Sequence, residues 1–160
     1  MMQWFECKVK YDKMVPEAGG QKVVTKVYLV DALSFTEAEA RITEEMEPYV
    51  SGEFSVTAVR RMNLSDVFYH EGGDRWYKVK TNFITIDEKT AAEKRTASFQ
   101  LAQASSFKGA YDVFMEGMKG TMADFEVASI TETQLMDVFA ADLQRTQADK
   151  AAQQEAKKAE

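Results

Sequence analysis

The residues able to do chemistry are few. The chain has one histidine, His70, and one cysteine, Cys7. A Ser-His-Asp or Cys-His centre would have to be built on that one imidazole, held by a third group. His70 lies beside Gly72-Gly73. No activated nucleophile can be assigned to it from spacing, so it reads as a surface residue of a connection. One histidine excludes a multi-histidine metal site, and one cysteine excludes a thiolate-rich zinc site. Gly117-Met118-Lys119-Gly120-Thr121 has neither the spacing nor the preceding strand of a phosphate loop, and reads as the end of a helix. Carboxylates crowd Glu37 to Glu47, which leaves a carboxylate-based hydrolase as the one enzyme class chemically open. The expectation is a protein that is not an enzyme and carries no cofactor.

Aromatic and basic residues do form a pattern. Along the first apolar segment, Trp4, Lys8 and Lys10 alternate with Phe5, Cys7 and Val9. The same alternation returns at Trp76, Lys78 and Lys80, and Lys26 and Tyr28 are assigned to the same outward side. Interleaved aromatics and lysines on one sheet face suit a single-stranded nucleic acid or a nucleotide. Bases stack on the rings, worth about 1–3 kcal/mol each, and phosphates meet the ammonium groups. The competing reading has the same rings packing at a protein–protein or self-association interface. That reading is favoured, so a protein partner or a homo-oligomer is expected.

The elements that must position these residues come from an internal repeat. Trp4 and Trp76, the only tryptophans, are 72 positions apart, and the same offset carries Leu29 to Leu101, Ser34-Phe35 to Ser106-Phe107 and Met46 to Met118. One residue drops out later. Phe54 then meets Phe125, and Leu64 to Phe68 meets Leu135 to Phe139. Self-similarity at a fixed period outranks other signals of fold.

Each copy reads as strand, strand, helix, strand. Phe5, Cys7, Val9 and Tyr11 alternate over a first strand of about Gln3 to Lys13. Pro16, Gly19 and Gly20 mark a turn, and a second strand runs to Ala32, with Val23, Thr25, Val27 and Leu29 on one face. Ser34 and Glu37 are spaced as a capping box. Ala38, Ile42 and Met46 follow at helical spacing, and Glu37 and Arg41 stand one turn apart as an ion-pair candidate. A third strand spans about Glu53 to Met62. In the second copy the strands are about 75–87, 95–104 and 124–132, and the helix about 107–121. Gly109 and Gly117 weaken that helix by about 1 kcal/mol each, unless another element approaches there too closely for a side chain.

The fold class expected is α+β: two ββαβ units, 1–69 and 75–139, joined by a linker at 70–74 and related by pseudo-twofold symmetry. A polar helical or disordered tail covers 140–160. The net charge of −6 argues against a dedicated duplex-DNA binder. No apolar run approaches the roughly 20 residues of a membrane span, so no membrane association is expected. The N-terminal residues do not resemble a signal peptide. With one cysteine and no disulfide possible, a cytoplasmic location is expected.

Two segments carry a family resemblance: Trp4-Phe5-Glu6-Cys7-Lys8-Val9, and the run from Tyr28-Leu29-Val30-Asp31 through Ser34-Phe35-Thr36-Glu37 to Ile42. Over about Met1 to Phe139 the chain resembles a domain-of-unknown-function family of Bacteroidetes and their phages and mobile elements. The resemblance implies a small cytoplasmic accessory protein of bacterial or phage origin, with no activity or site residues to transfer.

Overall fold

The computed structural model describes residues 2–15, 17 and 19–141. The tail expected over 140–160 therefore lies, past Ala141, outside the described residues. Among them the chain folds as two compact units. The first takes the residues up to Met62 together with those from Asp137. The second takes Asn63–Met136. Both are α+β, and no described helix is long and apolar enough to cross a membrane.

In the first unit, β1 (Gln3–Val15) and β2 (Gly20–Ala32) form a long hairpin in which Phe5 faces Val30 and Cys7 faces Tyr28. α1 (Phe35–Met46) follows, then β3 (Phe54–Met62), which returns antiparallel to β1. Ser34 caps α1, its hydroxyl accepting from Glu37 N–H at 3.1 Å, and the Glu37 carboxylate accepts from Leu33 N–H at 3.3 Å. Ser34 thus satisfies one of the N–H groups that a helix start leaves open, while Glu37 reaches back to the residue before the cap instead of to Ser34 itself. Ala38, Ile42 and Met46 are buried against Phe5, Cys7, Val9, Tyr28 and Val30. Fully burying side chains of this size contributes about 1.5–3 kcal/mol each.

The second unit repeats the order. β5 (Arg75–Ile86) and β6 (Glu93–Ala104) pair antiparallel, α2 (Phe107–Gly117) is capped by Ser106, and β7 (Asp124–Glu132) returns beside β5. The starts of β1 and β5, the ends of β2 and β6 and the starts of α1 and α2 all keep the offset of Trp4 to Trp76. So does an irregularity. The β1–β3 register slips between Lys8 and Val9, and the β5–β7 register slips between Lys80 and Thr81. The residues left over, Thr57 and Ala128, occupy matching places. A bulge of this kind is a built feature of a strand pair.

Two short strands complete the sheets, and the sequence does not announce them as strands. β4 (Asp66–Phe68) closes the first repeat and β8 (Leu135–Phe139) closes the second. Yet the sheet orders are β3-β1-β2-β8 and β4-β6-β5-β7. Each sheet takes its fourth strand from the other repeat. β4 runs parallel to β6, with Val67 opposite Leu101. Phe139 joins the first core and stacks on Tyr28 at 5.8 Å between ring centroids. Its counterpart Phe68 packs edge-on to Phe114 at 6.2 Å in the second. Each repeat is thus ββαββ, and the last strand is exchanged.

Gly117 follows from that exchange. A Cβ there would lie within 3.0 Å of three atoms of the Phe68 ring. The close approach by another element, raised from the sequence as one reading of this glycine, is what β4 provides. Gly73 is similarly constrained, since a Cβ would come 2.5 Å from the backbone nitrogen of Ala104.

Candidate functional site

Opposed residues of paired strands lie on one face of a sheet, so register decides which residues meet. Trp4, Glu6, Lys8 and Lys10 share the face of the first sheet away from α1, opposite Asp31, Leu29, Val27 and Thr25 of β2. Lys26 and Tyr28 are not among them. They oppose Val9 and Cys7 and therefore lie on the α1 side, which corrects their outward assignment. Tyr28 is buried in the first core, and Lys26 rests over the Tyr11 ring at 6.0 Å. The cause is plain in the sequence. Val27 to Val30 is apolar at every position, so alternation alone cannot tell which parity faces the helix. Val27 and Leu29, assigned to one face together with Val23 and Thr25, are the residues beside Lys8 and Glu6.

In the second unit, Trp76, Lys78 and Lys80 share the face away from α2, opposite Gln103, Leu101 and Phe99. This face is closed at Trp76 and Leu101, while Lys80 is exposed. Trp76 is 3% exposed and lies edge-on to Tyr69 at 5.6 Å, and Leu101 is wholly buried. Lys78 holds its ammonium 4.6 Å from the centre of the Phe99 ring. In the first unit Leu29 is wholly buried and Trp4 half-buried on the equivalent face. Trp76, so enclosed, has no free side on which a base could stack.

Other polar groups are spoken for in structural roles that the sequence did not reveal. Arg41 does not pair with Glu37. It reaches Asp31, donating to both its carbonyl and its carboxylate, and Glu45 lies 3.6 Å away. It also donates to the Phe139 carbonyl at 3.4 Å, and the Asp31 carboxylate accepts from Ala141 N–H at 3.1 Å. The ion pair thereby fastens the end of β8. In the second unit Thr81 donates to Gln100 at 2.7 Å, Gln100 donates to Ser98 at 3.0 Å, and Ser98 meets Ser65 at 2.5 Å. Thr81 and Gln100 are wholly buried. This string satisfies its own members and ties the residue before β4 to β6. Its hydroxyls have no base beside them.

Cys7 lies among apolar neighbours, and burial, with smaller contributions from Glu6 and Glu39, pushes its thiol up to about 12. A thiol that stays protonated is a poor nucleophile and metal ligand. His70 is exposed, its backbone N–H donating to Gln103 at 3.0 Å. Among the described residues no three of His, Cys, Asp and Glu gather to hold a metal ion.

What each unit leaves open is a strand edge. Each sheet has two outer strands, and the long ones are β3 and β7, nine residues each, against the short β8 and β4. One side of each strand therefore carries backbone donors and acceptors without a strand partner among the described residues, a template for pairing with another chain. Beside β3 a cleft of about 350 Å³ opens, lined by Phe35, Thr36 and Glu39 from the start of α1 and by Val56, Thr57, Ala58 and Val59. Nothing in the sequence marks these as edges, because edge position depends on which strands pair.

The model of a domain of unknown function, DUF4494, matches residues 3–141. The chain belongs to the DUF4494 family. The match spans both repeats and both exchanged strands, so the DUF4494 domain is the whole two-sheet arrangement and not one repeat. No match is found among curated proteins.

Proposed function

We propose that this DUF4494 domain is a small non-enzymatic binding and assembly module that recruits protein chains through its free strand edges. The reading extends to its setting: an accessory protein of bacteria, Bacteroidetes in particular, or of their phages, working in the cytoplasm. The observation that carries the binding role is the pair of nine-residue edges, β3 and β7, with a cleft beside β3. An added strand gains affinity from main-chain hydrogen bonds and specificity from pockets for alternate side chains. β3 offers both. The enclosure of Trp76 weighs against single-stranded nucleic acid or a nucleotide as the ligand.

The test is site-specific photocrosslinking in cells. A benzophenone amino acid at Thr57 in β3 or Ser129 in β7 should give defined protein adducts, identified by mass spectrometry. The same probe at Glu88, exposed in the β5–β6 turn, should give none. Adducts equally abundant at all three positions, or absent from both edges, would refute the reading.

A further inference from the structure

The two long free edges differ in charge. β3 carries Arg60 and Arg61 and no acid, while β7 carries Asp124, Glu126 and Glu132 and no base. Two β3 edges brought together would offer each arginine no acid, and two antiparallel β7 edges would set Asp124 against Glu132. A β3 edge against a β7 edge would pair opposite signs.

Register supports the same combination. Val56 and Val59 pack against the first core, and Val127 and Ile130 against the second. Each pair spans three positions, because both strands carry the bulge at matching places. If the strands run antiparallel with Val56 opposite Ile130, Val59 falls opposite Val127. The bulges then face each other, and every core-side residue meets a core-side residue. The same register sets Arg60 opposite Glu126. Both lie on the other face, Arg60 opposite Glu6 and Glu126 opposite Asn82 in their own sheets. Arg60 is exposed and makes no ion pair among the described residues, whereas Glu126 already accepts from Arg95 at 2.9 Å through one carboxylate oxygen and would meet Arg60 through the other. Val127 and Ile130 would stand on the side of β3 where the cleft beneath Phe35 opens.

We infer that the partner for the β3 edge is the β7 edge of a second copy of this chain, paired antiparallel with Arg60 opposite Glu126. This rests on the edge-binding role proposed above and names its occupant. Such a contact joins two different surfaces. It therefore propagates, into a closed ring where the rotation between copies allows and into an open filament where it does not.

Light scattering on the full chain over a range of concentrations tests this. The wild type should exceed the mass of one chain as concentration rises. Arg60→Glu and Glu126→Arg should each weaken association about tenfold, because each replaces a cross-strand attraction by a repulsion. Mixing the two variants should restore it, since each then offers an edge that the other's altered edge fits. Circular dichroism of each variant alone reports whether it is folded. Pairing of like edges predicts otherwise: one of the two variants would associate as the wild type does, which would overturn the inference. Mixing without recovery would overturn it as well. A wild type that stays monomeric while Thr57 crosslinks to a different protein would sink the second copy and leave the edge-binding role standing.

Discussion

Replacing Phe139 by Ala tests the strand exchange directly. Phe139 closes the second repeat in sequence, yet its ring is 7% exposed within the core of the first unit and stacks on Tyr28 with 21° between ring planes. Losing a buried phenyl removes about 2–3 kcal/mol of transfer free energy. Losing the stacked pair adds about 1 kcal/mol. A loss of about 3–4 kcal/mol is expected, inside the usual range for Phe→Ala in a core. With a urea slope of about 2 kcal/mol/M, the midpoint should fall by about 1.5–2 M. Location matters more than size. Native-state hydrogen exchange should show amides of β1 and β2 losing protection, although they are more than 100 positions away in sequence, while β5 to β7 change little. Phe68→Ala should do the reverse, loosening β5 and β6. Lost protection centred on β5 to β7 in the Phe139 variant would refute the exchange.

Gly117→Ala should destabilise by about 1–2 kcal/mol in thermal or urea unfolding. Crowding against the Phe68 ring outweighs the roughly 1 kcal/mol that Ala gains in helix propensity. Gly109→Ala should stay within about 0.5 kcal/mol of the wild type, because the gain of roughly 1 kcal/mol in helix propensity offsets the tight 3.2 Å approach of its Cβ to the Ser106 hydroxyl, which must give by a few tenths of an ångström. Cys7 should resist iodoacetamide near pH 8 in the native protein and react fully after denaturation, since burial holds it as the thiol. The same shift sets an alkaline limit. The folded state favours the neutral thiol, and the unfolded chain ionises from about 9.0, so this contribution to stability is complete below that pH and is lost as pH rises toward about 12. Tyr28, raised by burial from 10.0 to about 12, acts in the same direction. A stability flat from pH 9 to 11 in urea titrations would count against both.

The parts of the fold legible in the sequence were the local ones. Phe5, Cys7 and Val9 alternate cleanly with polar residues, and they face the core as alternation requires. Ser34 and Ser106 mark both helix starts because a cap is a contact over three residues. The offset from Trp4 to Trp76 carried the element order from one repeat to the other. What stayed hidden depends on distant pairing. Leu64 to Phe68 and Leu135 to Phe139 were matched as sequence, but nothing local says that each joins the other repeat's sheet. Alternation cannot assign a face to Tyr28 and Lys26, because Val27 to Val30 is apolar at both parities, and only the pairing of Tyr28 with Cys7 decides. Spacing offers Arg41 a partner in Glu37 one turn away, where the fold offers it Asp31. The candidate edges were invisible for the same reason: a strand is free only once its neighbours are known.

The exchanged strands also set an order in time. A ribosome releases residues from the N-terminus at roughly 5–20 per second. β4, β5, β6 and β7 have all emerged by Glu132, so every strand of the second sheet is present then. The first sheet begins at Gln3 but lacks β8 until Phe139 has been made. During synthesis the N-terminal hairpin must wait, with Tyr28 lacking its stacking partner, while the sheet encoded after it becomes complete. Of the two sheets, the one whose first strand is translated first is the last to have all its strands made.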